Sequence, residues 1–120
     1  MYELSIKSDF AASHCLRGYE GKCKNLHGHT WAVEVVVQNK TLDKVGMVTD
    51  FMDIKKQLKE FLEELDHTHL NDHPFFKKHN PTTENLARYI FEQFSKQCRP
   101  LKVKEVTVWE SLHAGVTYYK

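Results

Sequence analysis

No run of apolar residues in this 120-residue chain approaches the roughly 20 needed to cross a bilayer as a helix, so a membrane partner is not expected. The first nine residues, Met1 to Asp9, alternate polar and apolar types without an uninterrupted apolar stretch. They read as a strand and not as a signal peptide. Cysteine is scarce. Cys15, Cys23 and Cys98 are odd in number and not spaced like a secreted disulfide framework, which points to reduced thiols and a cytoplasmic setting. Neither charge sign is in excess: seventeen Lys and Arg against sixteen Asp and Glu leave a net +1, so no basic field advertises a nucleic-acid partner. Repeats, linkers and low-complexity stretches are also missing, and the length suits one domain, residues 1–120, with its own core.

The pattern that is present alternates between two periods. Leu4, Ile6, Ser8, Phe10 and Ala12 share one face of a first strand, and His14 continues the row at its far end. A second long strand over residues 27–38 places His27, His29, Trp31, Val33, Val35 and Val37 on one face. Asn39 to Gly46 reads as a turn region and Met47-Val48-Thr49 as a short extended piece. Asp50 is a candidate N-cap for a helix with Phe51, Ile54, Leu58, Phe61, Leu62 and Leu65 at helical spacing. After a polar segment, Asp66 to Asn80, a second helix opens at Pro81-Thr82-Thr83 and carries Leu86, Ala87, Ile90, Phe91 and Phe94. Two further strands, about 101–111 and 114–119, close the chain, with Val106, Val108 and Glu110 on one face. This order implies an α+β fold, a four-stranded antiparallel sheet with two helices on one face. Its two unpaired edges favour a homo-oligomer joined edge to edge.

Within that frame the run Cys23-Lys24-Asn25-Leu26-His27-Gly28-His29 carries the chemistry. His27 and His29 project side by side from one strand face, and His14 supplies a third imidazole from the neighbouring strand end. Three nitrogen ligands leave one tetrahedral position open, the pattern of a catalytic rather than a structural zinc site; Fe, Ni or Cu also suit imidazole. A structural site closed by Cys15 or Cys23 is the main rival. Cys23 sits between Lys22 and Lys24, surroundings that favour the reactive thiolate. Asp66-His67 at the end of the first helix reads either as an ordinary helix terminus or as an oriented proton carrier. Glu110 at the end of a row of inward valines is either rim or anchor for a cationic or amide-like ligand. Thr82-Thr83 is a helix start that can also offer amides to a ligand.

These residues resemble the 6-pyruvoyl-tetrahydropterin synthase superfamily from end to end. The matching pieces, in order, are Phe10-x-Ala12-x-His14, Cys23-x-x-x-His27-Gly28-His29, Val48-x-Asp50-Phe51, Leu65-Asp66-His67-x-x-Leu70-Asn71, Pro81-Thr82-Thr83-Glu84-Asn85 and Glu110. The three residues between Cys23 and His27 resemble the 6-carboxy-5,6,7,8-tetrahydropterin synthase branch, of the queuosine pathway; the pyruvoyl-forming branch typically has a longer spacer. The resemblance implies a T-fold whose protomers join into an oligomeric barrel, either a hexamer built as a dimer of trimers or a tetramer. It implies Zn²⁺ on His14, His27 and His29, and a small-molecule dihydropterin substrate held by Glu110 with Thr82 and Thr83 lining the ring pocket. Cys23 would be the general base, with His67, oriented by Asp66, as relay partner. The implied reaction converts 7,8-dihydroneopterin triphosphate to 6-carboxy-5,6,7,8-tetrahydropterin, with loss of acetaldehyde and triphosphate. Alternatives on the same residues are the pyruvoyl-forming reaction and a non-catalytic, zinc-stabilised pterin-binding module.

Overall fold

Alternation of inward and outward side chains, interrupted where Val35, Val36 and Val37 are all buried, carries two thirteen-residue strands, β1 (Tyr2–His14) and β2 (His27–Asn39), through the computed structural model, which describes residues 1–21 and 25–120. The two pair antiparallel from Tyr2↔Asn39 to His14↔His27, so that directly opposed residues share a face. The inward row of β1 (Ile6, Phe10, Ala12, His14) therefore meets the inward row of β2 (His27, His29, Trp31, Val33, Val35, Val37). Phe10 and Trp31, opposed in the ladder, stack with ring centroids 6.1 Å apart.

Two helices match their sequence signals. α1 (Phe51–Leu62) starts at Asp50, whose carboxylate accepts the Met52 N–H at 2.8 Å, a cap worth about 1 kcal/mol. The helix ends at Leu62, and Leu65 reaches the core from the turn that follows. Met47–Thr49 forms no strand. The Asp43 carboxylate accepts the N–H groups of both Val45 and Met47, which turns the loop back on itself before α1.

Residues 66–80 depart from expectation. Thr68–His69 form β3, which runs parallel to β1 through Ala12↔Thr68 and Ser13↔His69. A 3₁₀ turn (Leu70–Asp72) and a five-residue helix, α2 (Pro74–Lys78), follow. Leu70 and Phe76 are fully buried, so this segment is polar only on average. Next come α3 (Thr83–Gln97), capped by Thr82, then β4 (Lys102–Trp109) and β5 (Gly115–Tyr119). Among the described residues the sheet is five-stranded in the order β3-β1-β2-β4-β5, correcting the expected four strands, and three α-helices replace two. Two residues cannot display a period-2 pattern, and five cannot display a 3.6-residue stripe, which is why neither element was visible.

α1 packs on β1, and α3 on β4 and β5, closing one apolar core between helices and sheet. The core runs along the sheet and stops at His14, His27 and His29 at one end. Phe76→Ala is expected to cost about 3–5 kcal/mol, the range for truncating a buried aromatic ring, measured by denaturant unfolding. A loss below 1 kcal/mol would show that residues 70–78 are not part of the cooperative core.

Candidate metal centre

The end of the β1–β2 ladder brings three imidazoles to one point. His14 and His27 are opposed in the register, and His29 lies one inward position along β2, opposite Ala12. Ring centroids stand 4.5 Å (His14–His27), 5.2 Å (His14–His29) and 4.7 Å (His27–His29) apart. Trp31 forms the apolar floor, 4.9 Å from the His14 ring and 5.0 Å from His29, with its own indole N–H satisfied by the Ala12 carbonyl. Gly28, between the two β2 histidines, faces the opposite side; a Cβ there would meet nothing nearer than the Ala12 carbonyl oxygen at 3.9 Å.

Hydrogen bonds outside the cluster assign its tautomers. His14 Nδ1 lies 2.8 Å from the Pro81 carbonyl oxygen and His27 Nδ1 lies 2.7 Å from that of Asn25. A carbonyl only accepts, so both Nδ1 atoms carry the proton and donate it. In the neutral rings both Nε2 atoms then hold lone pairs, yet they face each other at 3.0 Å. Two lone pairs at that distance repel unless a cation lies between or beside them. His29 Nε2 is buried without a hydrogen-bond partner: Glu110 Oε1 lies 3.0 Å away, close enough for an ion pair but not aligned as a hydrogen bond. His14, His27, His29 and Glu110 offer four ligand atoms within 4.8 Å of one another, a cluster able to hold a metal ion. The backbone carbonyls behind His14 and His27 fix the two rings in the way such carbonyls orient the histidines of metal sites. Burial pushes the His14 and His29 imidazoles below their ordinary value, toward the neutral, ligating form. For His14 the Pro81 carbonyl opposes the shift and the neighbouring histidines add to it; for His29, Glu110 opposes it.

Glu110 follows the last residue of β4, and its second oxygen accepts the Thr83 hydroxyl at 2.9 Å. The buried Thr83 at the start of α3 thus fixes the carboxylate beside the histidines. Thr82 is engaged differently: its hydroxyl accepts the Asn85 N–H as the helix cap. Of the sequence candidates, His14, His27, His29, Glu110 and Thr83 are brought together. The proximity of Glu110 to the imidazoles, and so its place as a fourth candidate ligand, escaped sequence reasoning; its place just past β4, in line with the inward Val106 and Val108, was the available signal. Cys23 lies outside the described residues, as do Lys22 and Lys24. Cys15 is a free thiol outside the cluster, its backbone clasped by Asn71, which accepts the Cys15 N–H and donates to its carbonyl.

Asp66 and His67 sit at the outer edge of β1. One Asp66 oxygen accepts the Ala11 N–H at 2.8 Å, and the other lies 2.9 Å from His67 Nδ1. The Ala11 hydrogen bond, with help from His67, holds the Asp66 carboxyl below its usual range. The His67 side chain is 83% exposed. It lines, with His29, Gly28, Ser13, Thr68 and His69, an open groove of about 630 Å³ beside the histidine cluster.

The family described as 6-pyruvoyl tetrahydropterin synthase matches residues 3–120. A dihydroneopterin monophosphate aldolase from Pyrococcus furiosus is 38% identical over 111 residues, 92% of this chain and 90% of that protein. A 6-carboxy-5,6,7,8-tetrahydropterin synthase from Haemophilus influenzae is 31% identical over an aligned span of 133 positions, gaps included, that covers 92% of this chain and 94% of that protein. The structure of Caenorhabditis elegans 6-pyruvoyl tetrahydropterin synthase superposes with a TM-score of 0.88 at 29% identity, covering 99% of this chain and 95% of that one.

Because His14 and His29 titrate lower in the folded than in the unfolded chain, the unfolded state takes up protons first on acidification. Their stabilising contribution is complete above the ordinary imidazole value of about 6.5 and is lost as the pH falls from there through the depressed values. The metal-free protein is expected to show a falling Tm below that pH. Added metal should raise Tm near neutrality, and this gain should shrink with acid because protons compete for the same Nε2 atoms. A metal-induced gain that does not change with acidification would contradict the assigned ligands.

Proposed function

The chain belongs to the 6-pyruvoyl tetrahydropterin synthase family, and on that premise we propose that it is a zinc-dependent carbon–carbon lyase of the 6-carboxy-5,6,7,8-tetrahydropterin branch. It converts 7,8-dihydroneopterin triphosphate to 6-carboxy-5,6,7,8-tetrahydropterin, releasing acetaldehyde and triphosphate, in the cytoplasm and in the service of queuosine synthesis. The observation that carries this reading is the pair of opposed Nε2 lone pairs of His14 and His27, with His29 Nε2 buried beside them and a carboxylate at hand.

His14, His27 and His29 hold Zn²⁺ in this reading, and the metal supplies Lewis acidity where negative charge develops on the substrate's side-chain oxygens. Glu110 anchors the pterin by accepting hydrogen bonds from its guanidine-like N–H groups. Thr83 holds that carboxylate in place, and Thr82 lines the ring pocket from the α3 cap. Cys23 is the general base, its thiolate favoured by Lys22 and Lys24 on either side in the sequence. Asp66 accepts the Nδ1 proton of His67, which leaves His67 Nε2 free to take up and return a proton at the exposed edge. Protomers associate as a homo-oligomer, a dimer of trimers or a tetramer, through the sheet edges at β5 and at β1 with β3.

The Pyrococcus furiosus relative favours a second reading, an aldolase acting on a dihydroneopterin monophosphate. Both readings break a carbon–carbon bond in the pterin side chain, and they differ in the phosphate group and the fragment released. Incubation of the metal-loaded protein with each dihydroneopterin phosphate separates them. Acetaldehyde and triphosphate are expected with the triphosphate; a phosphate-bearing aldehyde from the monophosphate indicates the aldolase, and a pyruvoyl product without acetaldehyde the sister synthase. Cys23→Ala is expected to keep metal and fold while turnover falls by about 100-fold or more, the usual weight of a general base. Loss of metal in that variant would make Cys23 a ligand instead. Glu110→Gln is expected to weaken pterin binding about tenfold, roughly one charge-assisted hydrogen bond, at unchanged metal content. Metal loss there would move Glu110 from the pterin to the ion.

A further inference from the structure

At the opposite end of the sheet, four cationic side chains surround a second concavity. Arg99 follows α3, Lys102 and Lys104 stand at the start of β4, and Lys120 follows β5. The cavity between them measures about 440 Å³ and is floored by Phe91, Leu101 and Val103. The Phe91 ring is itself braced by Tyr118, 5.2 Å away. Ser95 and Gln38 add polar groups to the wall. Lys104 is compensated, its ammonium 2.8 Å from Glu3 and drawn also by Glu105. Among the described residues no ion pair engages Arg99, Lys102 or Lys120.

Three exposed cations that no described ion pair engages line one hollow, a setting that draws an anion. Arg and Lys donors of this kind recognise phosphate groups. The volume exceeds that of a single inorganic phosphate and lies within the roughly 300–1,000 Å³ of small-molecule pockets. The apolar floor suits a flat ring. We propose that this cavity binds an organic polyphosphate, with the phosphates on Arg99, Lys102 and Lys120 and the ring against Phe91, Leu101 and Val103. The site is separate from the histidine cluster. Gln38 and His27 lie eleven residues apart on β2, about 36 Å at roughly 3.3 Å per residue. A nucleoside triphosphate and a pterin triphosphate share the required chemistry.

Isothermal titration of the whole native protein with ATP, in low salt, tests the assignment. One saturable site per chain is expected, weakened at least tenfold in Arg99→Glu/Lys102→Glu and separately in Lys120→Glu. Metal content, Tm and pterin turnover should be unchanged, since these exposed residues take no part in the proposed reaction. His27→Ala should lose metal yet bind ATP normally, which separates failure of this site from failure of the catalytic reading. Repeating the titration with dihydroneopterin triphosphate on His27→Ala identifies which source binds more tightly. Inorganic triphosphate should bind the same site more weakly than ATP; equal affinity would overturn the role of the apolar floor. No saturable binding at millimolar ATP, binding indifferent to the charge reversals, or binding lost with His27→Ala would each overturn the site.

Discussion

The β1–β2 register is the constraint on which the rest of the molecule depends. Pairing runs for thirteen residues from Tyr2↔Asn39 to His14↔His27, and apart from Ser8 the inward rows of both strands are apolar up to the three histidines. Because the side-chain period of a strand is two, a slip by one residue would turn Phe10 or Trp31 to solvent and separate the histidines onto opposite faces. The core thus fixes the site: the burial that drives the hairpin together is what brings His14 against His27. Trp31, opposed to Phe10 and floored beneath the imidazoles, belongs to both.

The polar chemistry at the ladder's end is built from groups the fold had to satisfy in any case. Pro81, ahead of the α3 cap, supplies the carbonyl that accepts the His14 Nδ1–H hydrogen bond, and Asn25 supplies that for His27. Each assignment turns an Nε2 lone pair inward. Thr83, one residue past the Thr82 cap, brings the start of α3 against Glu110 at the end of β4. Three elements from distant parts of the chain, the hairpin, the helix start and the last long strand, therefore meet through hydrogen bonds that leave the ligand atoms unsatisfied by one another. Opposed lone pairs cost energy in a part-buried setting, and a cation held by the cluster would relieve that cost.

The long elements and the histidine spacing were legible in the sequence because each carries a sustained period. β1, β2, α1 and α3 show alternation or helical stripes over a dozen residues, and the cap residues Asp50 and Thr82 stand where their chemistry requires. Residues 66–80 were not legible. Leu70 stands alone among polar residues and Phe75-Phe76 is a single adjacent pair, so the burial of Leu70 and Phe76 comes from tertiary contacts with no periodic trace. Arg17 helps seat the segment by donating to the Phe76 carbonyl across 59 residues of sequence, and Asn71 clasps Cys15. Such long-range hydrogen bonds leave no local signature. Glu110 lay in the right row, but its distance to His29 depends on how β4 packs against β2, which spacing along one strand cannot give.

His67 shows how backbone, edge and chemistry converge in the segment that escaped the sequence. Its φ of +57° lies in the left-handed region, a conformation costing a non-glycine residue about 1–2 kcal/mol. The cost is met by hydrogen bonds: the His67 N–H donates to the Ala11 carbonyl at 2.6 Å, and Asp66 accepts the Ala11 N–H. The two outward-facing backbone groups of Ala11 are thereby closed off just before β3 begins, blunting this part of the β1 edge. The same turn leaves the His67 imidazole tethered by Nδ1 and otherwise in solvent. A residue needed only to cover the edge could be glycine, which takes this backbone geometry without strain. A histidine there instead places an imidazole, held at Nδ1 by Asp66, beside the groove that His29 also lines, which is where the proposed relay would need it.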